Sequence, residues 1–377
     1  MLKVANIVFN PFTNDSRVLK ESISLAKGGF KVEIIAHGDK GLEQEEIINS
    51  IKVKRFAYLD RKETTSNIAK LKVYLSWIKE VSTYVKDFDI LHCNDLNTLP
   101  IAFIVKRFFN KNIKVVYDAH EYETEVNQLN KITKPIAKFA EIFLIRYTDK
   151  VITVSEAIAK EYKNLYPFLE EPKLVLNTPP YKELEKKDLF REKLGIEGEK
   201  IIFLYQGGLS RGRGIEILLE AFKNIDNKDA VIVFMGYGEL EENIKNESQQ
   251  YKNIYFYPAV TPDILLDYTN SADFGISTIE DSCLSYRYCL PNKLFEYIMA
   301  EVPVVVSNLP EMRKLVLNNK IGVVLKENTP KGLNEAINKA IKLEQNELKT
   351  NIKKLKTIYN WENQEKVLID VYKELSK

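Results

Sequence analysis

The chain has 377 residues, 45% hydrophobic and 29% charged, with a formal charge of +2; single cores rarely grow beyond about 250 to 300 residues, so the length calls for two domains. Near-neutral charge gives no bulk reason for a nucleic-acid partner, and MLKVANIVF, a short apolar run closed by Asn10 and Pro11, fits neither a signal peptide nor a membrane span. Cys93, Cys283 and Cys289 lack the paired spacing of a zinc site or disulfide framework, so reduced thiols in a cytoplasm are expected.

Along the chain, β-branched runs alternate with amphipathic stretches, the pattern of parallel strands joined by crossover helices. VANIVF, KVEIIA, KVKRFAY, DILHC, KVVYDA and KVITVS read as strands, with helices over Ser16 to Lys27, Ile68 to Lys86 and Lys134 to Tyr147. The consecutive prolines of VLNTPPYKE place a linker near Asn177 to Glu183. A second series follows, with KIIFLYQGG, AVIVFMG, NIYFYPA, FGISTI and VPVVVS as strands and helices over Gly214 to Asn224 and Asn292 to Ala300. The expected architecture is two doubly wound α/β domains facing a central cleft. Their ligands belong beyond the carboxyl ends of the strands.

Two segments after strands carry chemistry. In YQGGLSRGRGIEILLEAF, Gly207 and Gly208 make a close turn and Arg213 precedes a helix, whose free amides and positive dipole end suit a diphosphate. A plain surface turn with two solvated arginines would read the same way. In YRYCLPNKLFEYIMAEVPVVVS, Pro291 can start a helix that carries Asn292, Lys293 and Glu296. Lys293 and Glu296 are either an i,i+3 surface ion pair or a ribose acceptor, Glu296, beside a phosphate ligand, Lys293.

These segments resemble the donor-binding half of the retaining GT-B glycosyltransferases of family 4, the group that builds bacterial polysaccharides. GYGE, VTPDILLDYTNSADFGIS and LFEYIMAEVPVVVSNLPEM agree in order and spacing, as do NDSRVLKESISLAKGGFKVEIIA, HCNDLNTLP, YDAHEYETE and VITVSEAIAKEY in the first half. The resemblance spans nearly the whole chain. It implies a GT-B fold of two Rossmann-like domains, over residues 1–178 and 179–358, with a C-terminal segment, 359–377, packing back on the first. It matches Glu296 to the family's ribose-binding glutamate, Arg213 to the basic residue on the donor phosphates, and His120 to the histidine near the transferred sugar. His120, Arg213 and Glu296 are the implied catalytic set; Gly207, Gly208, Asn292 and Lys293 complete the donor site.

Three positions depart from the pattern. Tyr288 stands where the first glutamate of the pair is usual, Gly208 where an arginine is frequent, and Glu301 where a glycine is usual, the last read as a surface change. Arg211 or Lys293 can supply the charge missing at Gly208. In the first half, the loop NPFTNDSRV supplies acceptor or phosphate contacts from Asn14, Asp15 or Arg17, although capping by Asp15 alone would explain its polarity. Asp95 and His92 in HCND are further acceptor candidates, His92 also reading as a strand-end histidine with a backbone partner.

The resemblance implies transfer from a nucleotide diphosphate sugar to a saccharide or lipid-linked saccharide with retention. A UDP-sugar is favoured over a GDP-sugar, and no metal or other cofactor is expected. A nucleotide-sugar 2-epimerase of the same architecture and a non-catalytic partner subunit are the alternatives. The expected setting is cytoplasmic, with peripheral contact at the inner membrane face through Lys131, Lys134, Lys138 and Arg146 around IAKFAEIFLI. A buried crossover helix with solvated lysines would show the same spacing. A last helix, Trp361 to Leu375, carries an apolar stripe of Trp361, Val367, Val371 and Leu375.

Overall fold

The computed structural model describes residues 1–59 and 66–376. The chain forms two compact units, Met1–Leu176 joined by the chain from Glu365 onward, and Asn177–Gln364. The segment 175–188 has no regular structure, as its prolines dictate. The C-terminal helix Trp361–Leu375 begins in the second unit and ends in the first.

The first unit holds a sheet of β1 (Lys3–Ile7), β2 (Lys31–Asp39), β3 (Glu45–Ile48), β4 (Ile51–Leu59), β5 (Ile90–Asn94), β6 (Lys114–Ala119), β7 (Lys150–Thr153) and β8 (Lys173–Leu174), ordered β3-β4-β2-β1-β5-β6-β7-β8. Every neighbour is parallel except β3 and β4, a hairpin turned by Asn49 and Ser50, both at positive φ. The periodicity predicts all but β3 and β8. EEII of β3 carries two charges and turns without the glycine that marks most such hairpins, and β8 is too short to show a period.

Asp15 caps the helix Ser16–Lys27 by accepting from Val18 N–H at 3.1 Å. This helix buries not only Val18 and Leu25 but also Arg17, Glu21 and Ser22, so its inner face brings charge into the core. The helix Thr133–Leu144 does the reverse. Its one carboxylate, Glu141, is fully buried and accepts from the hydroxyls of Tyr117 (2.9 Å), Tyr162 (2.7 Å) and Tyr166 (2.8 Å). Ile136, Phe139 and Phe143 are turned to solvent, with Phe139 75% exposed. The buried crossover reading therefore fails for this helix: three tyrosines offered the carboxylate an interior site. The C-terminal helix also differs from its expected stripe. It buries Trp361, Leu368, Val371 and Tyr372, whereas Val367 and Leu375 are only partly covered. Tyr372 wins the inward place because its hydroxyl meets His92 Nδ1 at 2.7 Å.

The second unit holds β9 (Ile201–Gly208), β10 (Ala230–Tyr237), β11 (Ile254–Pro258), β12 (Phe274–Ser277), β13 (Val304–Val306) and β14 (Gly322–Val324), all parallel, in the order β11-β10-β9-β12-β13-β14. This is a doubly wound sheet whose strand order reverses between β9 and β12, the position where ligands of such sheets collect. β12 pairs with β9 only at Phe274 and Gly275, so the two strands part early. Glu301 takes φ +60, a left-handed geometry that costs an ordinary residue about 1–2 kcal/mol and explains why glycine is usual there. Its carboxylate meets the buried Lys356 at 2.8 Å. Its position is thus a strained, charge-paired turn rather than a plain surface change.

Candidate functional site

In the second unit the site grows from the point where β9 and β12 separate. Tyr297 fills the gap. A Cβ on Gly275 would lie 2.4 Å from its ring, so only glycine lets the phenol lie there. The Tyr297 hydroxyl lies 2.9 Å from Leu204 O and 3.2 Å from Ile276 O, and accepts from Gln206 N–H at 3.3 Å. It thereby serves ladder groups that the diverging strands leave open. Tyr297 fixes the helix Asn292–Met299, and with it Lys293 and Glu296, against the end of β9. Pro291 is the cap of this helix rather than its first residue, and no side chain caps its first amides.

Lys293 is 8% exposed, its Nζ lies 3.5 Å from the centre of the Tyr205 ring, and it has no hydrogen-bond partner among the described residues. Burial, then the charge of Arg213, pull its ammonium down to about 7 against the opposing pull of Glu296 and Cys289. A Cβ on Gly207, which is exposed and sits at φ +112, would be 3.8 Å from this Nζ. The bare backbone of Gly207 thus lies beside the ammonium. Arg213 sits with its guanidinium carbon 4.9 Å from the Tyr286 ring centre and makes no ion pair among the described residues. The helix Ile215–Lys223 starts next to it at Gly214, again with no side-chain cap. Gly214 is obligatory, since a Cβ there would fall 2.1 Å from Thr278 O. Gly208, the last residue of β9, and Asn292, the first of its helix, are exposed, and Arg211 is exposed with its backbone N–H on Glu239. Glu296 accepts from Gln206 Nε2.

The structure thus assembles Arg213, Lys293, Glu296 and Gly207 around one strand end. Gln206, Thr269, Tyr205, Tyr286 and Tyr297 are functional neighbours that the sequence reading missed. The signal for Gln206 was present: an amide inside the apolar run IIFLYQGG has no reason to be there unless it is hydrogen-bonded.

In the first unit, the candidates fall into two groups. Asn14 is exposed on the loop after β1, and Asp15 caps the helix while also accepting from Asn10 Nδ2 at 2.9 Å. Arg17 is elsewhere: its guanidinium is buried, paired at 2.8 Å with Asp118 and at 3.1 Å with Glu21, and it donates to Val175 O at 2.8 Å. Its donors serve the fold. His92 is fully buried, 3.4 Å from both Glu21 and Asp118, and its partners are side chains rather than backbone. Burial lowers its proton affinity, but Asp118 and Glu21 outweigh that and raise it to about 8.

His120 follows β6 and is 21% exposed, with Nε2 3.0 Å from Asn94 Oδ1 and 3.3 Å from Asp118, and Nδ1 3.5 Å from Asp95. Against burial, Asp95 and Asp118 raise it to about 9, so its ring is a cation at neutral pH. Asp95 adopts φ +62, a geometry costing about 1–3 kcal/mol, and turns its carboxylate to that ring. Glu21, His92 and Asp118 lie within 4.8 Å of one another. Arg17 already lies on both carboxylates, so this set does not fit a metal ion.

The comparisons with known proteins agree with this division. The family model described as Glycosyltransferase Family 4 matches residues 17–177, and that described as Glycosyl transferases group 1 matches residues 186–356. An uncharacterized glycosyltransferase of Methanocaldococcus jannaschii is 22% identical, over 93% of this chain and 91% of the relative. Among solved structures, sucrose-phosphate synthase from Thermosynechococcus elongatus superposes with a TM-score of 0.79 at 16% identity, covering 100% of this chain and 99% of that one. The Anabaena protein HepE, solved in complex with UDP, gives 0.74 at 15% identity with full coverage of both chains. The fold is that of the GT-B glycosyltransferases, two Rossmann-like α/β domains with parallel sheets.

Proposed function

From this support for a glycosyltransferase, we propose that the chain transfers a sugar, with retention, from a nucleotide diphosphate sugar to a saccharide or lipid-linked saccharide in surface polysaccharide synthesis. The observation that carries the donor assignment is the pair of cations Arg213 and Lys293, held on aromatic rings without carboxylate partners among the described residues and flanked by two uncapped helix starts. Such a site costs the empty protein stability and is repaid by an anionic ligand. Glu296 takes the ribose diol, and UDP is the favoured nucleotide, in keeping with the HepE complex.

Cleavage of the glycosyl bond leaves negative charge on the departing diphosphate. Arg213, Lys293 and the helix starts stabilise that charge where it develops, without a metal in this proposal. The acceptor hydroxyl attacks from the face the leaving group vacates and gives its proton to the departing phosphate. The test is nucleotide binding followed by donor hydrolysis: UDP or GDP should bind, its diphosphate sugar should turn over, and Glu296→Gln should weaken nucleoside binding. A protein that binds no nucleoside diphosphate would contradict the proposal.

We also propose peripheral contact of the cytoplasmic enzyme with an anionic membrane. Among the described residues no helix is long and apolar enough to cross one. The outward apolar stripe of Ile132, Ile136, Phe139 and Phe143 is bordered by Lys131, Lys134, Lys138 and Arg146, and the helix's only carboxylate is buried. Lys134 and Lys138 share Glu125 at 2.6 Å, which leaves net positive charge beside the stripe. Phe139→Asp should abolish co-sedimentation with phosphatidylglycerol vesicles at low salt; vesicles that never retain the parent protein would reject the contact.

A further inference from the structure

Gln206 is 2% exposed and lies at the end of β9, one residue before the bare glycines. Its amide is used at both ends: Nε2 donates to Glu296 Oε2, and Oε1 accepts from the hydroxyl of Thr269 at 2.8 Å. Thr269 is itself fully buried, in the helix Pro262–Asn270, and its single hydroxyl proton is shared between Gln206 Oε1 and Leu265 O, the latter 2.9 Å away. The order of these groups is not reversible. Turning the amide over would set its oxygen against a carboxylate oxygen, two acceptors face to face with no proton between them. The carboxylate of Glu296 therefore sets which end of Gln206 meets it, the Thr269 hydroxyl holds the amide at its other end, and Gln206 fixes one oxygen of Glu296.

We infer that Thr269 and Gln206 are positioning residues that make Glu296 selective for a ribose bearing both hydroxyls. This rests on the reading of Glu296 as the ribose acceptor. With Oε2 held by the amide, the other oxygen of the carboxylate is presented in one orientation, and a diol is met by a fixed acceptor rather than a rotating one. A site built to accept a hydroxyl discriminates strongly against a ligand that lacks it, but only while its own geometry is held. Neither residue touches the ligand.

The experiment compares the affinities of UDP and 2′-deoxy-UDP, or of the guanosine pair if the parent protein binds GDP tighter. Their ratio cancels effects on the phosphates and on general stability. The parent should favour the ribo form by about tenfold or more. Thr269→Val should reduce this to less than about threefold, and Thr269→Ser, which keeps the hydroxyl, should restore it. Gln206→Glu supplies a signature that a merely structural role would not give. The two carboxyl groups would share one proton, so the ratio should survive at low pH and collapse as pH rises and the shared proton leaves, while the parent ratio stays flat. If Glu296→Ala removes the discrimination but Thr269→Val and Gln206→Glu keep it at every pH, the inference is wrong and the ribose reading stands. If Glu296→Ala keeps it too, or the parent shows none, the ribose reading itself is wrong.

Discussion

Each unit gathers charge near the ends of its strands, yet the two do it in opposite ways. In the first, Arg17, Glu21, His92 and Asp118 form a closed set in which every charge faces its opposite within 3.4 Å. In the second, Arg213 and Lys293 are held on tyrosine rings and make no ion pair among the described residues. Burying a charge is tolerated when a partner repays the lost hydration. The first cluster is repaid by the protein itself and so belongs to the fold. In the proposed function the second is left for a ligand to complete, and that difference in pairing distinguishes Arg17 from Arg213 where the residue type does not.

The largest effect is expected where the closed set is broken. Asp118→Ala would leave Arg17 and His92 sharing the single carboxylate of Glu21 in the core and should destabilise the first unit by about 3–5 kcal/mol, measured by urea unfolding with hydrogen exchange to assign the unit. Opening the other cluster should leave stability intact and cost turnover. Arg213→Ala should slow transfer ten- to a thousandfold, roughly 1.4 to 4 kcal/mol. A comparable loss of folding stability in Arg213→Ala would erase the distinction between the clusters.

Lys293→Met should go further and stabilise the empty protein by about 1–2 kcal/mol, since it removes a buried ammonium that has no hydrogen-bond partner among the described residues, visible as a melting temperature higher by roughly 2–4 °C per kcal/mol. The smallest effect is a difference in sign with pH. His92 and His120, raised to about 8 and about 9, contribute stability that is complete below their unfolded value near 6.5 and fades as pH rises through those values. Lys293, lowered to about 7, exacts its full cost below pH 7 and releases it between there and about 10.5. Hydrogen exchange at pH 6.5 and pH 9 should therefore show the first unit loosening and the second tightening. Parallel behaviour would mean that these groups do not set the trend.

The fold was legible because its strands are long apolar runs and its helices keep a clean period, so that Ser16–Lys27 and Trp361–Leu375 agree with the structure at both ends. The candidate donor residues were legible for another reason: Arg213, Lys293 and Glu296 follow strand ends and helix starts, where ligands of such sheets collect. Sequence position alone could not separate Arg17 from Arg213, because both begin helices after a strand and a loop. What separates them is Asp118, 101 residues away in sequence and bonded to Arg17. The same limit hid Gln206, whose partners come from two other helices, and the outward face of Thr133–Leu144, which depends on three tyrosines from elsewhere in the unit.

The central claim, that Arg213 and Lys293 of the second unit await a diphosphate, is tested most directly by calorimetric titration of uridine and UDP into the parent, Arg213→Ala and Lys293→Met. The account predicts that each substitution weakens UDP at least about tenfold while uridine binds nearly as before, the diphosphate interaction being the part removed. It also predicts that UDP binding to the parent takes up a proton above pH 7, and that this uptake vanishes in Lys293→Met. UDP affinities within about twofold of the parent in both variants, less than roughly 0.5 kcal/mol, would contradict it.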